Sequence, residues 1–317
     1  MKFSKSVAGI AAAVALAAGF THSDNVLDWF NSAVRHYTHA ERERGSERGA
    51  ERGAERNTAA ARTKEAKEGR RSTLSEREAL ALYSPSQREL SFDACTDEFP
   101  QERPLALGLV PASMKPVALC SDAFAVLYSQ TSKTPLVVVE RLNASRLQDA
   151  QGEQRMDNFY PDPRIARAGR ADLADYRGQH PAVDRGHQSP AADSPTPQAM
   201  AQSFSLSNMV PQNPVNNRKV WNKIEQDVRK FARRAKGDVF VFTGPLFESG
   251  HDTVGRGKVW VPTHLFKLVY DVSSERAWAY VLPNAETNIV APMDYQAFVA
   301  RTNLPLLKDA RIRGGIL

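Results

Sequence analysis

The chain has 317 residues, 25% of them charged and 42% apolar, with a formal net charge of +6 and an isoelectric point near 9.3. The length allows two average domains, but the first part of the chain lacks the apolar content to build one, which leaves a single globular domain behind an N-terminal extension. The basic balance permits a polyanionic partner without requiring one, and the absence of a CxxC or Cys/His cluster argues against a structural zinc site.

In chain order, residues 1–23 read as a targeting segment: Lys2 and Lys5 give a positive start, and Val7–Phe20 is an unbroken run of apolar and small residues. That run is too short to span a bilayer comfortably, and Ala15-Leu16-Ala17 and Ala17-Ala18-Gly19 are small-residue cleavage sites. The expectation is a Sec-type signal peptide on a bacterial periplasmic or secreted protein, with no stable membrane insertion after its removal. An uncleaved membrane anchor is the alternative. Residues 24–84 form a charged, low-complexity extension with a period-four core, Gly45-Ser46-Glu47-Arg48, Gly49-Ala50-Glu51-Arg52 and Gly53-Ala54-Glu55-Arg56. A glycine in every turn costs a helix about 1 kcal/mol each, which favours a solvated, partly helical or disordered spacer.

Residues 85–317 carry the globular pattern. Phe124–Tyr128 and Leu136–Val139 flank Ser132-Lys133-Thr134-Pro135 and predict a strand pair, with further short β-rich runs at Val239–Phe242, Val259–Val261, Phe266–Tyr270 and Ala277–Leu282. Between Asn217 and Ala235, Val220, Trp221, Ile224, Val228 and Phe231 recur at helical spacing. Strands mixed with a few helices, without regular alternation, predict an α+β fold with a mixed central sheet flanked by helices. Cys95 and Cys120, an even pair in an exported chain, predict one disulfide, closing a loop of about 25 residues and stabilising by about 3 kcal/mol; two buried free thiols are the alternative.

Three positions stand out for chemistry. In Asp184-Arg185-Gly186-His187, the glycine allows a tight turn that projects the imidazole from a strand end, and a neutral histidine near pH 7 can take a proton from water. Asn217 opens the helical pattern, where its side-chain oxygen either caps the helix or coordinates a hard divalent cation. Glu225, eight residues on, lies about 80° round an α-helix and roughly 12 Å along it. That is awkward for a second direct ligand but suits a carboxylate that accepts hydrogen bonds from metal-bound water. An exposed or structural histidine, an ordinary helix cap and a surface glutamate are the competing readings.

These segments resemble the sugar-non-specific DNA/RNA endonucleases of the ββα-metal (His-Me finger) type, the family of Serratia nuclease and endonuclease G. The resemblance rests on Asp184–Asp193, on Leu206–Gln212, and on Asn217-Arg218 with Trp221 and Glu225–Arg229. It extends upstream to Arg155 with Asn158-Phe159 and Asp162-Pro163, and downstream to Phe242-Thr243-Gly244-Pro245, covering about Leu90 to Leu304. It implies a ββα-metal finger and a hydrolase in which His187 is the general base, Asn217 the direct ligand of one Mg²⁺, with Mn²⁺ as substitute, and Glu225 a holder of its water shell. Asn208 would help hold the site around the histidine, and Arg155 would stabilise charge on the phosphorus. Arg185 would contact phosphate or fix the loop, with pairing to Asp184 or Asp193 as the equal alternative. Gln188 stands where many relatives carry methionine. Double- and single-stranded DNA and RNA are the implied partners, cut to 5′-phosphate and 3′-hydroxyl ends, with Arg218, Lys219, Lys223 and Arg229 as candidates for a phosphate track. The competing function is a noncatalytic nucleic-acid-binding envelope protein.

Overall fold

The computed structural model describes residues 74–155 and 157–313. The expected signal segment and the repeats of the extension lie outside the described residues. The first described helix, α1 (Glu76–Ala81), is opened by Ser75 and Glu78, which hydrogen-bond each other's backbone N–H groups in a capping box. Ala79 and Tyr83 behind it are buried, and the Tyr83 hydroxyl hydrogen-bonds Tyr160 at 2.9 Å, so the packed body takes in residues ahead of position 85.

Three strands follow: β1 (Pro116–Cys120), β2 (Ala125–Ser129) and β3 (Thr134–Leu142), then a short helix α2 (Ala144–Asp149). Strand β4 (Asp184–His187), helix α3 (Pro197–Ser203) and strand β5 (Met209–Gln212) come next. Helix α4 is composite: an α turn Pro214–Asn216, a π segment Asn217–Trp221 and an α segment Asn222–Ala232. Strands β6 (Val239–Leu246), β7 (Thr253–Val254), β8 (Val259–Trp260), β9 (His264–Asp271), β10 (Arg276–Pro283) and β11 (Met293–Asp294) lead to helix α5 (Tyr295–Thr302).

The main sheet runs β1-β2-β3-β6-β9-β10-β11, while β4-β5 and β7-β8 are separate ribbons. The α+β class therefore holds, and so does the expected strand pair, now β2 and β3. The sheet expected to be mixed is antiparallel at every described strand pairing. The reason lies in the connections: β1-β2-β3 and β9-β10 join by short turns, which allow only antiparallel neighbours.

Its strands are apolar on both faces because both are covered. On one face Val137, Val139, Phe240, Phe242, Phe266 and Leu268 pack with Phe298 of α5 and with Cys95 and Cys120. The two cysteines form the expected disulfide, with Cα atoms 5.5 Å apart. On the other face of β2 and β3, Val126, Tyr128 and Val138 pack with Ile165. Among the described residues, no helix is long and apolar enough to cross a membrane.

Candidate active site

Strand β4 pairs antiparallel with β5 in the register Asp184↔Gln212, Arg185↔Pro211, Gly186↔Val210 and His187↔Met209. Gly186 is not the turn residue expected; it lies in extended pairing. A Cβ there would fall 2.0 Å from Oε1 and 2.7 Å from Cβ of Gln212, so the glycine is needed for close approach across the ribbon. Strand alternation then puts Arg185 and His187 on the opposite side from Asp184.

The His187 ring packs edge-on against Phe204, centroids 4.9 Å apart, and lies 5.7 Å from Phe159. The guanidinium of Arg155 lies 5.1 Å from the centre of the Phe204 ring, and that of Arg185 lies 4.0 Å over Phe159. Two aromatic rings thus gather the imidazole and both arginines into one group. Arg155 also donates to Asp157 at 2.7 Å. Burial, then the Arg155 charge, pushes the imidazole down to about 3; Asp157 opposes this and Arg185 adds to it. His187 is half-buried as a residue, yet its Nε2 is shielded and has no hydrogen-bond partner.

Asp184, three residues earlier, reaches the helix. It accepts from Asn217 Nδ2 at 2.9 Å and from Arg218 through Nε at 2.8 Å and Nη2 at 2.6 Å. Only the amide nitrogen can donate to a carboxylate, so this contact fixes the amide and leaves the Asn217 oxygen as its remaining acceptor. The capping alternative for Asn217 is removed, because the helix starts earlier: Asn213 Oδ1 accepts from the N–H groups of Val215 and Asn216.

Asn208 is completely buried, and its amide is used up on backbone. Its Oδ1 accepts from Ser189 N, and its Nδ2 donates to Ser189 O and Ser203 O, each at 2.9 Å. It braces the turn behind His187 and presents nothing to a ligand.

Burial raises the Glu225 carboxyl to about 7; Lys267 and Arg229 favour the charged form, Asp193 opposes it, and the nearby Trp221 indole contributes least. Lys267, 1% exposed, donates to Thr243 Oγ1 at 2.6 Å and also faces Glu140, a carboxyl that burial raises to about 8.

The expected phosphate track is narrower than its sequence suggested. Arg229 is ion-paired to buried Asp193, Lys223 to Asp227 and Arg218 to Asp184, so of the four only Lys219 makes no ion pair among the described residues. Asp184 and Asp193 are held by Arg218 and Arg229, and Arg185 stacks on Phe159. Sequence reasoning missed Asp184 as the holder of Asn217, and Phe204, Glu140 and Lys267 altogether. One signal was available for Glu140: a carboxylate directly after the apolar run Leu136–Val139.

A two-stranded ribbon carrying a histidine, followed by a helix carrying an asparagine, has the ββα order that the sequence resemblance implies. The family model for DNA/RNA non-specific endonucleases matches residues 109–304, and the chain belongs to that family. It is 38% identical over 174 residues to the mitochondrial nuclease EXOG of Danio rerio, covering 50% of each chain. It is 36% identical over 223 residues to EXOG of Xenopus laevis, covering 65% of this chain and 60% of that one. Against human mitochondrial endonuclease G it is 34% identical over 187 residues, 55% of this chain and 62% of the other. The chain thus spans half to three fifths of the length of the first of these curated relatives.

A solved structure described as the EndoG/EndoGI complex, on the mechanism of EndoG inhibition, aligns with TM-score 0.52 and 25% identity over 59% of this chain and 84% of that one.

These relatives correct the expected location. They are mitochondrial nucleases, which points to mitochondria rather than a bacterial periplasm or secretion. Physically, a basic start, serines and no acidic residue before Asp24 are features that an organellar presequence shares with an export signal.

Proposed function

We propose that the protein is a divalent-metal-dependent, sugar-non-specific endonuclease that hydrolyses phosphodiester bonds of DNA and RNA, with Mg²⁺ as the metal. The observation that carries the reading is the His187 imidazole gathered with the Arg155 and Arg185 guanidinium groups around Phe159 and Phe204, on the strand whose Asp184 orients Asn217. The donor set fits a hard cation that keeps most of its water: one fixed amide oxygen, a nearby raised carboxyl, and among the described residues no cluster of three His, Cys, Asp or Glu side chains. Asn217 would hold the ion directly and Glu225 would accept hydrogen bonds from its water. When bound, the ion supplies charge stabilisation at the non-bridging and departing oxygens.

The chain's own residues do the rest. Arg155 and Arg185 draw the phosphodiester to the aromatic floor. Their charges help keep His187 neutral, and the arriving phosphate offsets them, so the proton affinity of the imidazole rises as substrate binds. The His187 imidazole takes a proton from water, the water oxygen bonds to phosphorus, and the bond from phosphorus to the 3′ oxygen breaks. The 3′ oxygen takes up a proton from solvent, leaving 5′-phosphate and 3′-hydroxyl ends. Water rather than a ribose hydroxyl is the nucleophile, so both sugars are accepted.

The test is digestion of plasmid DNA and of RNA by the purified protein, with and without EDTA, beside His187→Ala and Asn217→Ala. Cutting of both substrates that needs metal and both side chains is expected. Undiminished cutting by His187→Ala would remove the base, and no cutting with any divalent metal would favour a noncatalytic binder.

A further inference from the structure

The turn that follows His187 is stapled at one residue. Ser189 donates its N–H to Asn208 Oδ1, accepts from Asn208 Nδ2 at its carbonyl, and donates its hydroxyl to Glu140 Oε2 at 2.9 Å. Gln188 adds a fourth bond, from its N–H to the Asn208 carbonyl at 3.0 Å.

Three of these bonds stay between neighbouring loops; only the one to Glu140 reaches the main sheet. Glu140 is 3% exposed and lies in β3 opposite Val241 of β6. Alternation along β3 places it on the same side as Val138, away from the face that holds Val137 and Val139. Val138 pairs with Thr243, and Thr243 pairs with Lys267, so the buried ammonium sits on the neighbouring row of the same sheet. The same turn reaches helix α4 through the ion pair of Asp193 with Arg229, one helical turn beyond Glu225.

We propose that Glu140 is a positioning residue for His187: through Ser189 it anchors the turn behind the imidazole to the central sheet, and so sets where the ring stands relative to α4. This rests on the reading of His187 as the base. Displacement of a reacting group by about 1 Å costs on the order of a hundredfold in rate, so a staple two residues from the base is placed to govern kcat.

The test uses Glu140→Gln, Ser189→Ala, Ser189→Thr and the Glu140→Gln/Ser189→Ala double variant of the whole chain. Glu140→Gln and Ser189→Ala should each lower kcat by about ten- to a hundredfold with KM within about twofold. Ser189→Thr, which keeps the hydroxyl, should retain most of the activity. The double variant should be no slower than the worse single one, since both break one link.

A readout independent of activity is the ring resonance of His187 in ¹³C-histidine-labelled protein, which should shift or broaden in Glu140→Gln while other histidine signals stay in place. Unchanged kcat with an unmoved His187 signal would overturn the proposal, as would losses that multiply in the double variant. Should the wild type cut neither nucleic acid, the nuclease reading falls, and the His187 signal alone decides whether Glu140 positions the ring.

Discussion

Gly186→Ala is the smallest change that should disable the site, by adding one methyl group between β4 and β5. The new Cβ would stand 2.0, 2.7 and 2.9 Å from Oε1, Cβ and Cδ of Gln212. Swinging the end of Gln212 aside would relieve the first contact but not the second, which is fixed to the β5 backbone. Gln212 is fully buried, and its Nε2 donates to Asn216 Oδ1 at 2.8 Å. The Asn216 amide is in turn held by the carbonyls of Pro283 and Ala285 at 3.0 and 3.2 Å.

The ribbon must therefore open, by about 1 Å if carbon atoms are to return to roughly 3.5–4.0 Å. Overpacking of this kind costs about 1–3 kcal/mol, and loss of the Gln212–Asn216 bond adds about 1. For a body of this size that lowers the melting temperature by roughly 4–16 °C. Because Asp184 and His187 lie on the displaced strand, kcat should fall by about a hundredfold. Calorimetry and initial rates on plasmid DNA measure the two effects. A variant that melts within about 1 °C of wild type and cuts within about twofold of it would show that Gly186 is not there for close approach.

Other expectations follow from the same geometry. Asp184→Ala frees the Asn217 amide, so the Mg²⁺ concentration giving half-maximal rate should rise by about 10- to 100-fold; an unchanged metal titration would mean that Asp184 does not orient Asn217. His187 has a folded-state value near 3 against 6.5, so the free enzyme keeps its base neutral well below pH 6.5, and the acid limb of the kcat/KM profile should lie far under that value. A limb at 6.5 contradicts the shielding.

For stability, Glu140 near 8 and Glu225 near 7 are raised above 4.5, so the folded state keeps protons that the unfolded chain has released. Their contribution to stability is present below about pH 4.5 and is lost as pH climbs to 8; urea midpoints should reveal this, and Glu140→Gln should flatten the decline. Reducing the Cys95–Cys120 bridge should cost about 3 kcal/mol, read as an earlier thermal transition in dithiothreitol.

What the sequence made legible is what local pattern encodes. The apolar runs at Val239–Phe242 and Phe266–Tyr270 became β6 and β9, and the stripe through Trp221, Ile224 and Val228 became the buried face of α4. The grouping of chemistry around Asp184–His187 and Asn217 was visible in residue type and order. What stayed hidden depends on contacts between distant segments. Gly186 looked like a turn glycine because the crowding residue is Gln212, and Asn217 looked like a cap because the actual cap, Asn213, precedes a Pro and breaks no apolar pattern. Arg229 and Lys223 looked like solvent-facing cations because their acids are named only by the fold.

The π segment of α4 changes the angular arithmetic of the helix. Asn222 donates its N–H to Asn217 O, five residues back, so each residue from Asn217 to Trp221 advances round the axis by less than in α winding. The angle of about 80° that separates Asn217 from Glu225 on a straight α-helix is correspondingly reduced, and the two side chains are brought toward one line along the axis. One surplus residue thus works as a gear tooth. Its removal, for example by deleting exposed Lys219, would leave about 700° of α winding between the two, roughly 20° short of two full turns, so Glu225 would stay on the Asn217 side.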